Sequence, residues 1–226
     1  MKIVNTLVAV SLGVVALTAQ AVQFDSDVPQ AIQNQMTQDL GFMGGVKGVK
    51  TSPLHQQIFG KMEGSSYLSW FDSRIKAVGV DDCGSANAVA CVIPMFNSNK
   101  MWLTQNYIKF SHPQIARLMV VYHEARHSER GNRNWMHATC PDPFLDEKGK
   151  EMRSIWTGAA LAGEAACDIT PFGSYGSSSI LLKNISKNCT NCTAKVKMDA
   201  GIYADNQLGR ITDANARRQM ISDIFN

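Results

Sequence analysis

Apolar residues recur at helical spacing over much of the chain. A proline start and a glycine stop bound a first predicted helix from Pro29 to Leu40. Apolar residues three and four apart predict further helices over residues 66–80, 113–129, 154–168 and 178–188 and through most of 199–225. The helix over 113–129 is apolar on most of its sides, so we expect it to be buried.

Two short apolar segments have the composition of strands. Residues 88–96 form an apolar run that ends at a proline, and residues 101–110 alternate and are rich in aromatic side chains. Residues 22–28 are predicted as a loose leader, and the glycine-rich residues 41–53 as loop or bent strand. The sequence therefore predicts an α+β fold. In it a small sheet with an edge strand packs on the buried helix, and a helical C-terminal part follows.

The first 21 residues have the pattern of a cleaved secretory signal. Lys2 precedes an uncharged, mostly apolar stretch, and Ala19 and Ala21 supply the small residues of a cleavage site. We predict cleavage near Ala21 and one domain over residues 22–226, in the periplasm or the medium. The apolar stretch is short for a membrane span and no basic stop-transfer follows it, so we expect no membrane association after cleavage.

Charge and cysteine content narrow the class of protein further. The net charge of +3 is mild and scattered, and no basic run is interleaved with aromatic residues, which argues against a nucleic-acid partner. The six cysteines are an even number in an exported chain, which predicts disulfides. Several connectivities are open, and the one we favour joins near neighbours, as Cys83–Cys91, Cys140–Cys167 and Cys189–Cys192.

The buried helix carries the segment HEARH, in which His123 and His127 are four residues apart. Side chains at this spacing lie on one face of a helix, so the two imidazoles can bind one ion together. Glu124 is offset from that face and can reach a water on the ion without becoming a ligand. Zinc accepts imidazole and lowers the pKa of its bound water, whose proton a nearby carboxylate can take. The alternative is an ordinary pair of helix histidines, but these need polar partners when buried.

The HEARH helix resembles that of the zincin superfamily of zinc metallopeptidases. The resemblance covers His123, Glu124 and His127 and extends over about residues 101–131. It implies that His123 and His127 bind zinc and that Glu124 acts as the general base. It also implies that residues 101–110 are an edge strand that binds the substrate backbone.

A catalytic zinc has three protein ligands and one open position, and two residues are candidates for the third ligand. His137 lies in the loop beyond Gly131, and Glu164 lies on the predicted helix over 154–168. The metzincin spacing is absent. The spacing of Glu164 and Asp168 resembles the gluzincin branch, which implies Glu164 as ligand and Asp168 as a residue that orients a zinc-binding histidine.

The chain is also similar to uncharacterised secreted bacterial proteins that combine a HEARH helix with HxxCP, ACD and GxYG segments. These segments occur here at residues 137–141, 166–168 and 173–176. This second resemblance implies His137 as the third ligand, with Asp168 as its partner or as a ligand. A Cys140–Cys167 disulfide would bring both candidates near one point. The third ligand is therefore left open as His137 or Glu164.

These features predict a secreted zinc metallopeptidase that binds one Zn²⁺ per chain and acts on a peptide or protein substrate. Tyr175 is a candidate to stabilise the developing oxyanion. One alternative is an exported zinc hydrolase that acts on cell-wall amides. Another is a non-catalytic, disulfide-linked binding domain with a structural zinc, which would require a fourth protein ligand.

Overall fold

A computed structural model describes residues 22–132 and 136–225 of the chain. The predicted signal peptide, residues 1–21, lies outside this part. Within it the chain forms a small mixed sheet, helices and three disulfides, which is the disulfide-bonded α+β architecture that the sequence predicts. No helix of the described part combines the length and the apolar character that crossing a membrane requires.

Most of the predicted helices are present. In chain order the helices are α1 (Gln30–Gly45), α2 (Pro53–Phe59), α3 (Gly64–Asp72), α4 (Pro94–Asn97), α5 (Gln105–Lys109), α6 (Gln114–His127), α7 (Ser174–Asn188), α8 (Ala194–Leu208) and α9 (Ala214–Met220). A 3₁₀ turn over Arg130–Asn132 follows α6, and a π-helical turn over Ile221–Phe225 follows α9. The first helix thus extends five residues beyond its predicted end, into the glycine-rich segment.

The described strands are short and form a single sheet. They are β1 (Gln23–Phe24), β2 (Ala77–Val80), β3 (Ala90–Val92) and β4 (Lys100–Leu103), in the spatial order β1-β2-β4-β3. The pairs β1–β2 and β2–β4 are parallel, whereas β3 is antiparallel to β4. Consequently β3 is an edge strand, and it packs against α6. The predicted leader over residues 22–28 contains β1.

The strand prediction over residues 101–110 is wrong in its extent and in its position. The strand ends at Leu103 because the Thr104 side chain accepts a hydrogen bond from the Asn106 N–H and so caps α5. This strand, β4, lies inside the sheet between β2 and β3. The edge strand beside α6 is instead β3, which comes from the predicted strand over residues 88–96.

The predicted helix over residues 66–80 is two elements. Its first half belongs to α3, which ends at Asp72, and its second half forms β2. Val78 is completely buried in the centre of the sheet, where β1 and β4 pair with β2 on its two sides. A short apolar run has no periodicity that separates a strand from a helix, so the strand partners decide the outcome.

The predicted helix over residues 154–168 is absent. Gly158 and Gly163 adopt positive φ angles of 76° and 74°, which a helix interior does not allow, and the segment is a series of turns. Isolated bridges, Arg153 with Ala160 and Ala138 with Cys167, hold this segment in place. The small residues of the segment permit tight turns rather than helix packing.

Helix α6 lies at the centre of the fold. Every residue from Leu118 to His127 is buried, with β3 packed on one side and α7 and α8 on others. Each fully buried aliphatic side chain contributes roughly 1.5–3 kcal/mol to the stability of such a core. The histidines of HEARH therefore project from a rigid support.

The six cysteines form three pairs at disulfide distance, and these are the near-neighbour pairs that we favoured from the sequence. Cys83 joins Cys91, Cys140 joins Cys167, and Cys189 joins Cys192. Disulfides persist in oxidising surroundings and are rare in reducing ones. The three bonds therefore indicate an extracellular or otherwise oxidising compartment.

Candidate metal centre

Three histidines converge on one point at the C-terminal end of α6. The Nε2 atoms of His123 and His127 are 3.2 Å apart, and the Nε2 of His137 lies 3.2 Å from the first and 3.1 Å from the second. His123 and His127 are buried, and His137 is partly buried. Among the described residues these three form the group of side chains that could hold a metal ion.

The spacing of the three nitrogens fits a bound cation. Tetrahedral zinc with Zn–N distances of about 2.0–2.1 Å places its ligand nitrogens about 3.3–3.4 Å apart, close to what is found here. The Nδ1 of His137 is 3.0 Å from an Asp168 carboxylate oxygen, to which it donates. The Nε2 of His137 then carries a lone pair that points at the other two rings. A metal ion at this point would accept the His137 lone pair together with one from each of the other two imidazoles.

Asp168 holds His137 and is itself held by backbone groups. Its Oδ1 accepts from His137, and its Oδ2 accepts from the Tyr175 N–H at 2.7 Å and the Gly176 N–H at 3.3 Å. Asp168 is buried, so these bonds form in a poorly screened environment. The structure thus places Asp168 next to a candidate ligand histidine, where a carboxylate fixes the orientation of the ring and raises its basicity.

The loop that carries His137 is fastened to the segment that carries Asp168. The Ala138 N–H donates to the Cys167 carbonyl at 2.7 Å, and the Cys167 N–H donates back to the Ala138 carbonyl at 3.1 Å. The Cys140–Cys167 disulfide closes the same junction. His137 therefore reaches α6 because its neighbours are cross-linked to residues far along the chain.

Of the two candidate third ligands, the structure brings His137 to the pair on α6. Glu164 is exposed, and its backbone carbonyl accepts from the Cys140 N–H at 2.8 Å. Its carboxylate is not part of the group that could hold a metal. The gluzincin spacing of Glu164 and Asp168 assumed a helix, and the turns at Gly158 and Gly163 remove the shared helical face on which that ligand assignment depended.

Glu124 lies beside the triad in an apolar environment. Its Oε1 is 4.0 Å from the Nε2 of His123, and the backbone N–H of Val92 on β3 donates to its carboxylate. Burial raises the pKa of Glu124 to about 8, and the hydrogen bond from Val92 opposes part of that rise. A buried carboxyl group beside a position that could hold a metal is where a general base of metal-assisted hydrolysis would act.

Tyr175 stands against the triad. Its ring centroid is 4.5 Å from the ring centroids of both His123 and His137. The guanidinium carbon of Arg210 is 4.5 Å from the Tyr175 ring centroid, and the Arg210 side chain donates to the Tyr175 side chain. Burial raises the pKa of Tyr175, while Arg210 acts in the opposite direction. Sequence reasoning missed Arg210, because nothing around it in the sequence marks it as part of a site.

Arg126, inside HEARH, anchors the end of α6. Its Nε donates to the Phe172 carbonyl at 2.9 Å, and its guanidinium donates to both oxygens of Glu129 at 2.7 Å. Arg74 forms an ion pair with the same carboxylate. Arg126 thereby connects the end of α6 to the segment that leads into α7, the helix that carries Tyr175.

A cavity of about 470 Å³ opens onto the triad, Glu124, Tyr175 and Arg210. One wall is β3. The Thr104 N–H donates to the Val89 carbonyl, so Val89 and Thr104 are a hydrogen-bonded pair. Hydrogen-bonded pairs alternate along an antiparallel ladder, so Cys91 also pairs with β4. The N–H and C=O groups of Ala90 and Val92 therefore point away from β4. One of these groups, the Val92 N–H, meets Glu124, and the others face the open edge.

Comparisons with models of known families, with curated proteins and with solved structures return no match for this chain.

Proposed function

We propose that this protein is an exported zinc-dependent peptidase, with His123, His127 and His137 as ligands of one Zn²⁺. The observation that carries the proposal is the triad of Nε2 atoms within 3.2 Å of one another, with the buried Glu124 carboxylate beside it. Zinc on these three histidines would act as a Lewis acid, which would polarise a carbonyl group and lower the pKa of a bound water.

In this mechanism Glu124 moves the protons. Its carboxylate accepts a proton from the attacking water and then delivers it to the departing amine. Glu124 is buried beside the triad, its Oε1 is 4.0 Å from the Nε2 of His123, and the backbone of Val92 on β3 hydrogen-bonds to its carboxyl group. Tyr175, whose ring contacts His123 and His137, would stabilise the negative charge that develops on the carbonyl oxygen.

The edge strand supports a peptide as the substrate. The Ala90 N–H and C=O and the Val92 C=O face the open edge of the sheet beside the cavity. An extended peptide can pair with such an edge through its backbone, which gives affinity without requiring particular side chains. The edge lies next to α6, so a peptide on β3 passes the triad.

An open metal position separates this proposal from a structural zinc site. A structural site needs four protein ligands. Among the described residues, the group around the triad contains only the three histidines, because Asp168 is engaged by His137 and by the N–H groups of Tyr175 and Gly176. The geometry therefore favours a site at which substrate or water completes the coordination.

The first test measures the zinc content of the purified protein and then its rate of casein hydrolysis. We expect purified protein with intact disulfides to retain one zinc per chain through dialysis. Glu124→Gln should keep the zinc and lower the rate of casein hydrolysis by roughly 10²- to 10⁴-fold. Glu147→Gln is the control, because the Glu147 side chain is 93% exposed. Hydrolysis by zinc-loaded Glu124→Gln at the wild-type rate would rule out this mechanism.

The substrate class needs a parallel assay. Purified cell-wall material should be offered beside casein under the same conditions. Turnover of casein supports the peptidase proposal, whereas turnover of wall amides alone would replace it with a wall hydrolase that uses the same metal.

A further inference from the structure

Arg210 lies between α8 and α9, and its backbone is bound to Asp168. The Arg210 carbonyl accepts from the Asp168 N–H at 3.0 Å, and the next residue, Ile211, forms a parallel bridge with Asp168. The Arg210 N–H donates to the Gln207 carbonyl at 3.0 Å. The main chain of Arg210 therefore has a fixed position relative to Asp168, which holds His137.

The guanidinium of Arg210 is buried without a carboxylate partner in the described part of the chain. Arg210 is only 6% exposed, and no ion pair within 4.0 Å joins it to an acidic residue there. Its Nε is buried and has no hydrogen-bond partner among those residues. By contrast, Arg117 pairs with Asp39, and Arg126 pairs with Glu129.

Arg210, a cation without a carboxylate partner among the described residues, lines the cavity that holds the triad. Arg210 and the three histidines line the same cavity, and the Tyr175 ring contacts Arg210, His123 and His137. Buried charges in proteins are normally paired, because an isolated charge in a poorly polarisable environment is costly. A ligand anion entering this cavity would supply the missing partner.

We propose that Arg210 binds a carboxylate of the substrate, and that the protein therefore prefers peptides with a carboxylate close to the bond that is cleaved. The inference rests on the proposed peptidase function and specifies its substrate. The planar guanidinium fork matches the two oxygens of a carboxylate, and such charge-assisted pairs are among the stronger hydrogen bonds in proteins. The carboxylate is either the end of a peptide chain or an acidic side chain.

Three matched probes separate these sources by binding alone. Each carries a malonyl hydroxamate on the amino end of a dipeptide, so that the hydroxamate meets the zinc. The first ends as Ala-Ala carboxylate, the second as Ala-Ala amide and the third as Ala-Asp amide. Isothermal titration calorimetry on the zinc-loaded full chain gives a Kd for each probe.

We expect a carboxylate-bearing probe to bind at least about tenfold more tightly than the Ala-Ala amide. A preference for the first probe identifies a chain terminus, and a preference for the third identifies an acidic side chain. Arg210→Gln should abolish the preference, and Arg210→Lys should restore part of it. Arg217→Gln, on α9, is the control that should leave it unchanged.

Two results would overturn the inference. One is equal Kd values for the three probes with the wild-type protein, or no binding of any of them. The other is an equal rise in the Kd values of all three probes on Arg210→Gln. Arg210 would then contact the part that the probes share, next to the zinc, or would only support the fold. A tenfold preference without hydrolysis of casein or wall material would leave the carboxylate site standing and end the peptidase proposal.

Discussion

The Asp168 carboxylate joins His137 to the start of α7. One oxygen accepts from the His137 Nδ1 at 3.0 Å, and the other accepts from the Tyr175 N–H at 2.7 Å, in the first turn of that helix. A single buried side chain thus fixes a candidate metal ligand and supplies the helix with an N-terminal hydrogen-bond acceptor. The candidate metal centre and the packing of α7 depend on the same group.

Replacing Asp168 with Asn should therefore weaken both metal binding and folding. The amide cannot accept on both sides, so either the His137 ring or the α7 N-terminus loses its acceptor. We expect zinc affinity to fall by roughly 10- to 100-fold, which is typical for loss of a partner of a ligand histidine. Competition with a chelator measures the affinity. Unchanged affinity would mean that Asp168 does not orient the ligand.

His137→Ala and Glu164→Ala give opposite results if the triad is the metal site. Removing the His137 ring leaves two ligands on α6, and zinc affinity should fall by more than the loss caused by Asp168→Asn. Glu164 is exposed and lies outside the group, so its removal should leave zinc content unchanged. Zinc content per chain after dialysis measures both variants. Loss of zinc in Glu164→Ala, with retention in His137→Ala, would reverse the assignment.

The Cys140–Cys167 bond should contribute to metal affinity as well as to stability. It closes a sequence separation of 27 residues, so replacing both cysteines with Ala should cost about 3–4 kcal/mol of unfolding free energy. It also frees the loop that carries His137, and zinc affinity should fall with it. Urea unfolding and chelator competition measure the two effects.

The Cys189–Cys192 pair provides the matched control for that experiment. It spans a separation of only 3 residues and lies at the C-terminal end of α7, whereas Asp168 contacts the first turn of that helix. Replacing Cys189 and Cys192 with Ala should leave zinc affinity unchanged. An equal loss of affinity in both double variants would indicate a general effect of destabilisation and not the anchoring of His137.

His55 should make the fold sensitive to acid. It is fully buried, its Nδ1 donates to the Gly60 carbonyl at 3.1 Å, and its Nε2 accepts from the Tyr67 hydroxyl at 2.8 Å. Burial lowers the pKa of His55 from 6.5 to about 4, so the unfolded chain binds the proton more tightly than the folded one. This contribution to stability is fully present above pH 6.5 and is lost as the pH falls towards 4.

The expected loss is about 2–3 kcal/mol of unfolding free energy between pH 7 and pH 4.5. Urea unfolding of wild-type and His55→Gln protein, both metal-free, isolates this contribution, because the other histidines are common to the two. The wild-type curve should fall more steeply with decreasing pH. Parallel curves would show that His55 titrates normally or that another group controls acid unfolding.

The parts of the site that the sequence predicts are those set by local geometry. His123 and His127 share a face because a helix turns once in 3.6 residues, and Glu124 follows from the same helix. The choice between His137 and Glu164 depends on where long-range contacts place the two segments that carry them. The segment of Glu164 also turns at Gly158 and Gly163, whose positive φ angles exclude the predicted helix.

Arg210 illustrates what local patterns cannot provide. It reaches the site because Asp168 pairs with the backbone around it, from a distant part of the chain. The edge strand was misplaced for a similar reason, since β3 and β4 are both short and apolar. Only their pairing with β2, which is a long-range contact, determines which of them lies inside the sheet.

The shortness of β3 has a consequence for how the protein behaves in concentrated solution. Open sheet edges are sites at which chains recruit copies of themselves and aggregate. Here the edge is three residues long, Pro94 follows within two residues, and one of its outward N–H groups is occupied by Glu124. The N–H and C=O groups of Ala90 and the C=O group of Val92 remain to pair with another strand. That is enough to align a short extended peptide, and too little to hold a second sheet.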